Sequence, residues 1–264
     1  MNVNKHQNNR TFPFVWPWRG ANNEQVSLRE ALASRKFSYL YLLIIWGIVG
    51  ILDFASTRNC SGTWQLALQC EYAFWIGNLV EAPLIFFRNL FTTMLFHNGV
   101  DHIFFVTIVG VLIIIQSYEV RFGSKETFSM FLLAYLIVGT LFGIFYQSGL
   151  SIWPKNEFIQ FAFERNWMGG SLGFYFLYGA FVGSSKRPLI FLSIPFVFEF
   201  LNIYFFNIDL HISLMHTVGA MAGLATKKVM IIAGTMKSNK NQREIDLSKE
   251  ISKPSFSLGK HSPK

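Results

Sequence analysis

Ser171 sits in the run Gly169-Gly170-Ser171-Leu172-Gly173, at the head of an apolar, aromatic segment that extends from Trp167 to Gly183. Helical periodicity places Tyr175, four residues on, on the same side as the serine. His216 lies in a second apolar segment, with Gly219 and Gly223 following at the third and seventh positions. A serine on one apolar helix and a histidine on another, each beside glycines that permit close approach, are the parts of a Ser–His hydrolase. In that chemistry His216 is the general base and Ser171 the nucleophile. His97 and His102 precede a further apolar segment, where a histidine could donate a hydrogen bond to an oxyanion alongside the Ser171 backbone N–H. Glu199 stands inside another such segment, with Asn202 one turn on. A carboxylate in that setting is a functional candidate, and if its helix is a gate it could face an aqueous cavity or touch the incoming substrate. Ser171 alone would be read as a small residue at a helix contact; His216 at matching depth changes that reading. The same run fits the Gly-x-Ser-x-Gly elbow of α/β-hydrolases, but that elbow needs a strand, turn and helix that the chain does not offer.

The elements that must hold these residues follow from composition. Of 264 residues, 52% are hydrophobic and 14% charged, about half the charged share of a soluble domain, so the chain has too little polar surface for a water-soluble globule. About 20 apolar residues span the hydrocarbon core. The pattern predicts spans at Phe37 to Phe54, Asp101 to Tyr118, Thr127 to Tyr146, from Trp167 to the Lys186-Arg187-Pro188 stop, at Leu189 to Phe206, and at Ile212 to Ala225. The stretch from Asn59 to Phe96 mixes Trp64, Trp75, Glu81, Pro83 and Arg88 with apolar residues. It is expected to lie at the interface or half in the membrane. Ser171 and His216 then fall at similar depth, roughly 5–10 Å below the outer surface at the helical rise.

Charge orients the bundle. The net charge is +8, but the basic residues gather at the termini and in short connections, which is the placement of a cytoplasmic anchor and not of a nucleic-acid surface. Lys5, Arg10, Arg19, Arg29, Arg35 and Lys36 precede the first span; Arg121 with Lys125, and Lys186 with Arg187, fill alternate connections. Both termini are therefore expected in the cytoplasm. The chain divides into a basic N-terminal segment (1–36), a six-helix membrane domain (37–234) and a basic, disordered tail (235–264). No cleavable signal is read at the N-terminus. Cys60 and Cys70 could form a disulfide or remain two free thiols, and no Cys/His spacing suits zinc. Glu119 and Arg121 are expected to pair at a helix end, and His211 to lie in a loop.

On these residues the chain resembles the rhomboid intramembrane serine proteases, over about Arg88 to Gly223. Phe91 to His97 followed by His102 resembles that family's second-helix signature, and Glu119-x-Arg121-x-Gly123-Ser124 its second cytoplasmic turn. Gly169-Gly170-Ser171 with Tyr175 resembles the nucleophile helix, and His216-x-x-Gly219-x3-Gly223 the base helix. The resemblance implies an all-α polytopic membrane protein, a six-transmembrane-helix bundle with a partly embedded first external loop and a movable fifth helix. It implies a Ser171–His216 dyad, with Tyr175 stacked on the imidazole and His102 and Gly169 beside the oxyanion. The implied activity is cleavage of transmembrane protein substrates near their outer end, in the lipid bilayer of a bacterial-type inner membrane. No metal, nucleotide or other cofactor and no nucleic acid is implied. Two positions depart from the pattern: the family's oxyanion asparagine falls on Val106, and the glycine after the serine is Leu172. They motivate an alternative, an inactive relative that binds transmembrane clients.

Overall fold

The computed structural model describes residues 14–56, 60–185, 187–206 and 208–251. Lys5, Arg10, Arg58, Asn59, Lys186 and the tail beyond Ile251 lie outside them. Among the described residues all regular structure is helical: α1 (Leu28–Ala33), α2 (Lys36–Leu52), α3 (Trp64–Tyr72), α4 (Asn78–Glu81), α5 (Pro83–Thr92), α6 (Val100–Phe122), α7 (Ser124–Ile152), α8 (Glu157–Phe163), α9 (Ser171–Gly183), α10 (Pro188–Phe206) and α11 (Leu210–Ile251). Helices α6 and α7 wind more widely over Val106–Ile115 and Tyr135–Gly139.

Among the described residues, four helices are long and apolar enough to cross a membrane: α6, α7, α10 and α11 over Leu210–Gly234. Their outward faces carry Phe104, Ile108, Leu141, Ile144, Val197 and Phe200, all exposed. That surface is compatible with a multi-pass membrane protein, because bare water would not solvate it. The first and fourth predicted spans are shorter than expected, at 17 residues for α2 and 13 for α9. For α9 the reason lies in its environment, since every one of its residues from Ser171 to Gly183 is buried against protein. It need not satisfy its backbone against lipid along its whole length.

Helix α9 is the axis of the core. Phe131 of α7 packs on Gly173, and Phe174 packs on Gly110 of α6. Against α11 the approach is closest. A Cβ at Gly223 would stand 1.9 Å from the Phe176 carbonyl oxygen, and one at Gly179 would stand 1.8 Å from that of Ala220. Glycine on both helices lets the backbones touch. Helix α10 is attached by a narrow stripe, Leu192, Pro195 and Glu199, with most other side chains outward.

The expected Glu119–Arg121 pair does not form. The Glu119 carboxylate instead accepts from the backbone N–H groups of Phe37 at 2.7 Å and Ser38 at 2.8 Å, and from the hydroxyls of Ser38 and Ser124. The first turn of α2 has orphan donors, and a carboxylate at that end satisfies them. Arg121 lies over the Phe181 ring. His211, expected in a loop, is buried in the first turn of α11, where its ring stacks on Phe158 at 4.0 Å and its Nε2 lies 2.7 Å from the Phe158 carbonyl. The tail, expected to be disordered from residue 235, is helical as far as Ile251. No glycine or proline interrupts residues 235–251, and nothing in that composition stops a helix already begun. The chain divides into two units, through Lys227 and from Lys228 onward; the described residues of the second, up to Ile251, are helical.

Cys60 and Cys70 form a disulfide that closes a loop of sequence separation 10 around the start of α3. Reduction is expected to cost about 2–3 kcal/mol on the chain-entropy model. The check is thermal unfolding in detergent with and without reductant, beside Cys60→Ser/Cys70→Ser; an unchanged midpoint would contradict it.

Candidate active site

The segment Trp167–Gly170, predicted as helix, lies outside α9 as an irregular turn because its backbone is paired elsewhere. Trp167 exchanges both backbone hydrogen bonds with Phe74, and the Gly169 N–H donates to the Thr93 carbonyl at 3.0 Å. The Tyr135 hydroxyl donates to the Gly169 carbonyl at 2.9 Å, and Thr93 Oγ1 donates to the Trp167 carbonyl. Gly169 has φ of 118°, a left-handed conformation that favours glycine, and a Cβ there would stand 2.3 Å from His102 Cε1. The turn and the His102 ring thus occupy one another's space only because residue 169 has no side chain. Helix α9 then begins at Ser171, whose N–H belongs to the first turn and has no intrahelical acceptor.

Ser171 Oγ lies 2.8 Å from His216 Nε2. The Tyr175 ring stacks on the His216 imidazole, with centroids 4.2 Å apart and planes at 7°. The position four residues after the serine therefore does place a flat apolar face under the base. His216 Nδ1 lies 2.9 Å from Glu199 Oε1. The Tyr175 hydroxyl donates to the same carboxylate oxygen, and the Ser213 hydroxyl donates to Oε2 at 2.7 Å. Ser171, Tyr175, Glu199, Ser213 and His216 form one continuous polar chain inside an otherwise apolar core.

His102 belongs to the same place. It lines, with Ser171, Glu199, Asn202, Met215 and His216, a cavity of about 650 Å³. Its Nδ1 is buried with no hydrogen-bond partner among the described residues. His97 stands one layer out, buried, its ring 5.1 Å from that of His102. It backs the His102 ring. Val106 is fully buried against the turn, and a Cβ on Gly170 would lie 3.4 Å from its Cγ1. Leu172 points to α11, where its Cδ1 fills the space left by Gly219.

The arrangement contains the groups for nucleophilic attack: a hydroxyl, a histidine nitrogen positioned to take its proton, and at the nucleophile itself a first-turn N–H to which the helix gives no acceptor. Three supporting residues escaped the sequence reading. Ser213 precedes His216 by three residues, so its helical face was legible; Thr93 and Tyr135 hold the Gly169 turn through contacts distant in sequence and carried no such signal. Glu199 was legible as a buried carboxylate, but its partner was not. Comparison of the chain with protein-family models, with curated proteins and with solved structures finds no match.

Proposed function

We propose that the chain is an intramembrane serine endopeptidase of the rhomboid kind. The observation that carries this reading is the 2.8 Å approach of Ser171 Oγ to His216 Nε2, beneath the Tyr175 ring, at a cavity inside an apolar bundle. In this reading α2, α6, α7, α9, α10 and α11 are six spans, with both termini in the cytoplasm of a bacterial-type cell. The Cys60–Cys70 disulfide supports an external, oxidising location for the loop that bears it. The exposed Trp64, Val80 and Leu84 of the short helices α3 to α5 suit an element set partly into the bilayer.

His216 Nε2 takes the Ser171 proton as Oγ attacks a substrate carbonyl carbon. The oxyanion accepts from the Ser171 N–H and from His102. His216 then returns the proton to the leaving amine, and water hydrolyses the acyl-enzyme by the same base. The substrate is a transmembrane helix cut near its outer end. Glycine or other helix-breaking residues at the cut favour it, because the peptide must unwind to present its carbonyl. No cofactor enters the reaction.

The test is cleavage of a single-span reporter with a Gly-rich outer end in proteoliposomes. Wild type cleaves it and Ser171→Ala does not; cleavage that persists in Ser171→Ala overturns the reading. A second reading, an inactive protein that retains transmembrane clients, is favoured by Val106, which has no donor to offer beside the turn. One oxyanion donor is worth about 10²–10³ in rate, so Val106→Asn is expected to speed cleavage by about 10² if the machinery is otherwise complete. Co-purification of uncut reporter with wild type and Val106→Asn alike, without cleavage by either, would favour the binder.

A further inference from the structure

Taking Ser171 as the nucleophile, we propose that Glu199 of α10 is the third member of the catalytic unit, a positioning carboxylate that holds His216 in the tautomer and orientation Ser171 requires. A neutral imidazole has one N–H and one bare nitrogen. For Nε2 to accept the Ser171 proton, the ring hydrogen must sit on Nδ1. The group facing Nδ1, at 2.9 Å, is Glu199 Oε1, and an ionised carboxylate only accepts. It therefore selects the productive tautomer, and it stabilises the imidazolium that forms when His216 takes the proton.

The carboxylate is itself fixed. Tyr175 donates to Oε1 and Ser213 donates to Oε2 at 2.7 Å, so both oxygens are held by donors from α9 and α11 while Glu199 comes from α10. Glu199 is buried, and it is the polar member of the stripe through which α10 packs. A carboxylate removed from water at this cost would otherwise be a liability in an apolar helix. Tyr175 thereby has two tasks, stacking on the imidazole and bonding the carboxylate that faces the opposite nitrogen. Glu199 does not touch Ser171; it acts through His216.

The experiment uses the full chain in detergent and two readouts. The first is the rate of fluorophosphonate labelling for wild type, Glu199→Gln and Glu199→Asp. The second is the ¹⁵N spectrum of labelled histidine, with His216→Ala to assign the His216 signals. Glutamine can present an N–H to Nδ1 and so favour the tautomer whose Nε2 is already protonated. Labelling of Glu199→Gln is expected to fall by about 10²–10⁴-fold, with Glu199→Asp retaining more activity than Glu199→Gln. In wild type the His216 hydrogen is expected on Nδ1, and Glu199→Gln is expected to move it to Nε2, a change that a merely structural role would not produce. Should Glu199→Gln not fold, as judged by size exclusion, Glu199→Asp and Tyr175→Phe, which keeps the stacked ring and removes one donor, are expected to slow labelling in its place. Equal labelling by wild type and the folded variants, or an unmoved tautomer, overturns the proposal and leaves Ser171 as nucleophile. A wild type that does not label overturns both.

Discussion

Replacing His216 by alanine is expected to slow fluorophosphonate labelling of Ser171 by about 10⁴-fold or more, with Ser171→Ala unlabelled. A serine hydroxyl is a weak nucleophile at neutral pH and gains its reactivity from a base placed to remove the proton as the new bond forms. His216 Nε2 at 2.8 Å is the group that does so here. Because nucleophile and base act as one unit, losing either costs nearly as much as losing both. The alanine variant also removes the ring on which Tyr175 stacks, so labelling should be read beside a folding control such as size exclusion. Undiminished labelling of folded His216→Ala would mean that Ser171 is not activated by this histidine. Labelling of Ser171→Ala would place the reactive residue elsewhere.

The second large effect concerns the bundle and not the chemistry. Gly223→Ala adds one methyl, which helix propensity alone would score as a gain of about 1 kcal/mol. At this position the added Cβ would stand 1.9 Å from the Phe176 carbonyl oxygen and 2.8 Å from its carbon. Those are backbone atoms of α9 and cannot step aside by changing a rotamer, so α9 and α11 must separate. Separation also pulls His216 from Ser171, since each is carried by one of these helices. The variant is expected to lose about 2–3 kcal/mol of stability together with labelling. Gly47→Ala in α2 supplies the contrast, because nothing lies within 4 Å of a Cβ there. It is expected to be neutral or mildly stabilising, and thermal unfolding of the two variants in detergent checks both signs. Equal behaviour of the pair would mean that the close α9–α11 contact does not limit stability.

Much of this protein is legible without coordinates. Hydropathy alone marks α6, α7, α10 and α11, because burying apolar length against lipid or core needs only composition and period. Spacing alone put Tyr175 on the Ser171 face and Gly219 and Gly223 on the His216 helix, since an α-helix has a fixed pitch. The non-helical turn before Ser171 was not legible. Its backbone bonds go to Phe74, Thr93 and Tyr135, and an apolar segment reads as helix until such distant partners are known. Glu119 capping α2 and His211 stacked on Phe158 were likewise decided by neighbours far along the chain. Glu199 marks the boundary most clearly. Sequence alone identified a carboxylate too costly to leave unpaired in an apolar helix, whereas only the packing of α10 against α9 and α11 determined that its partners are His216, Tyr175 and Ser213. Periodicity acts within a helix and is written locally; pairing between helices depends on which faces meet, and that is a property of the folded chain.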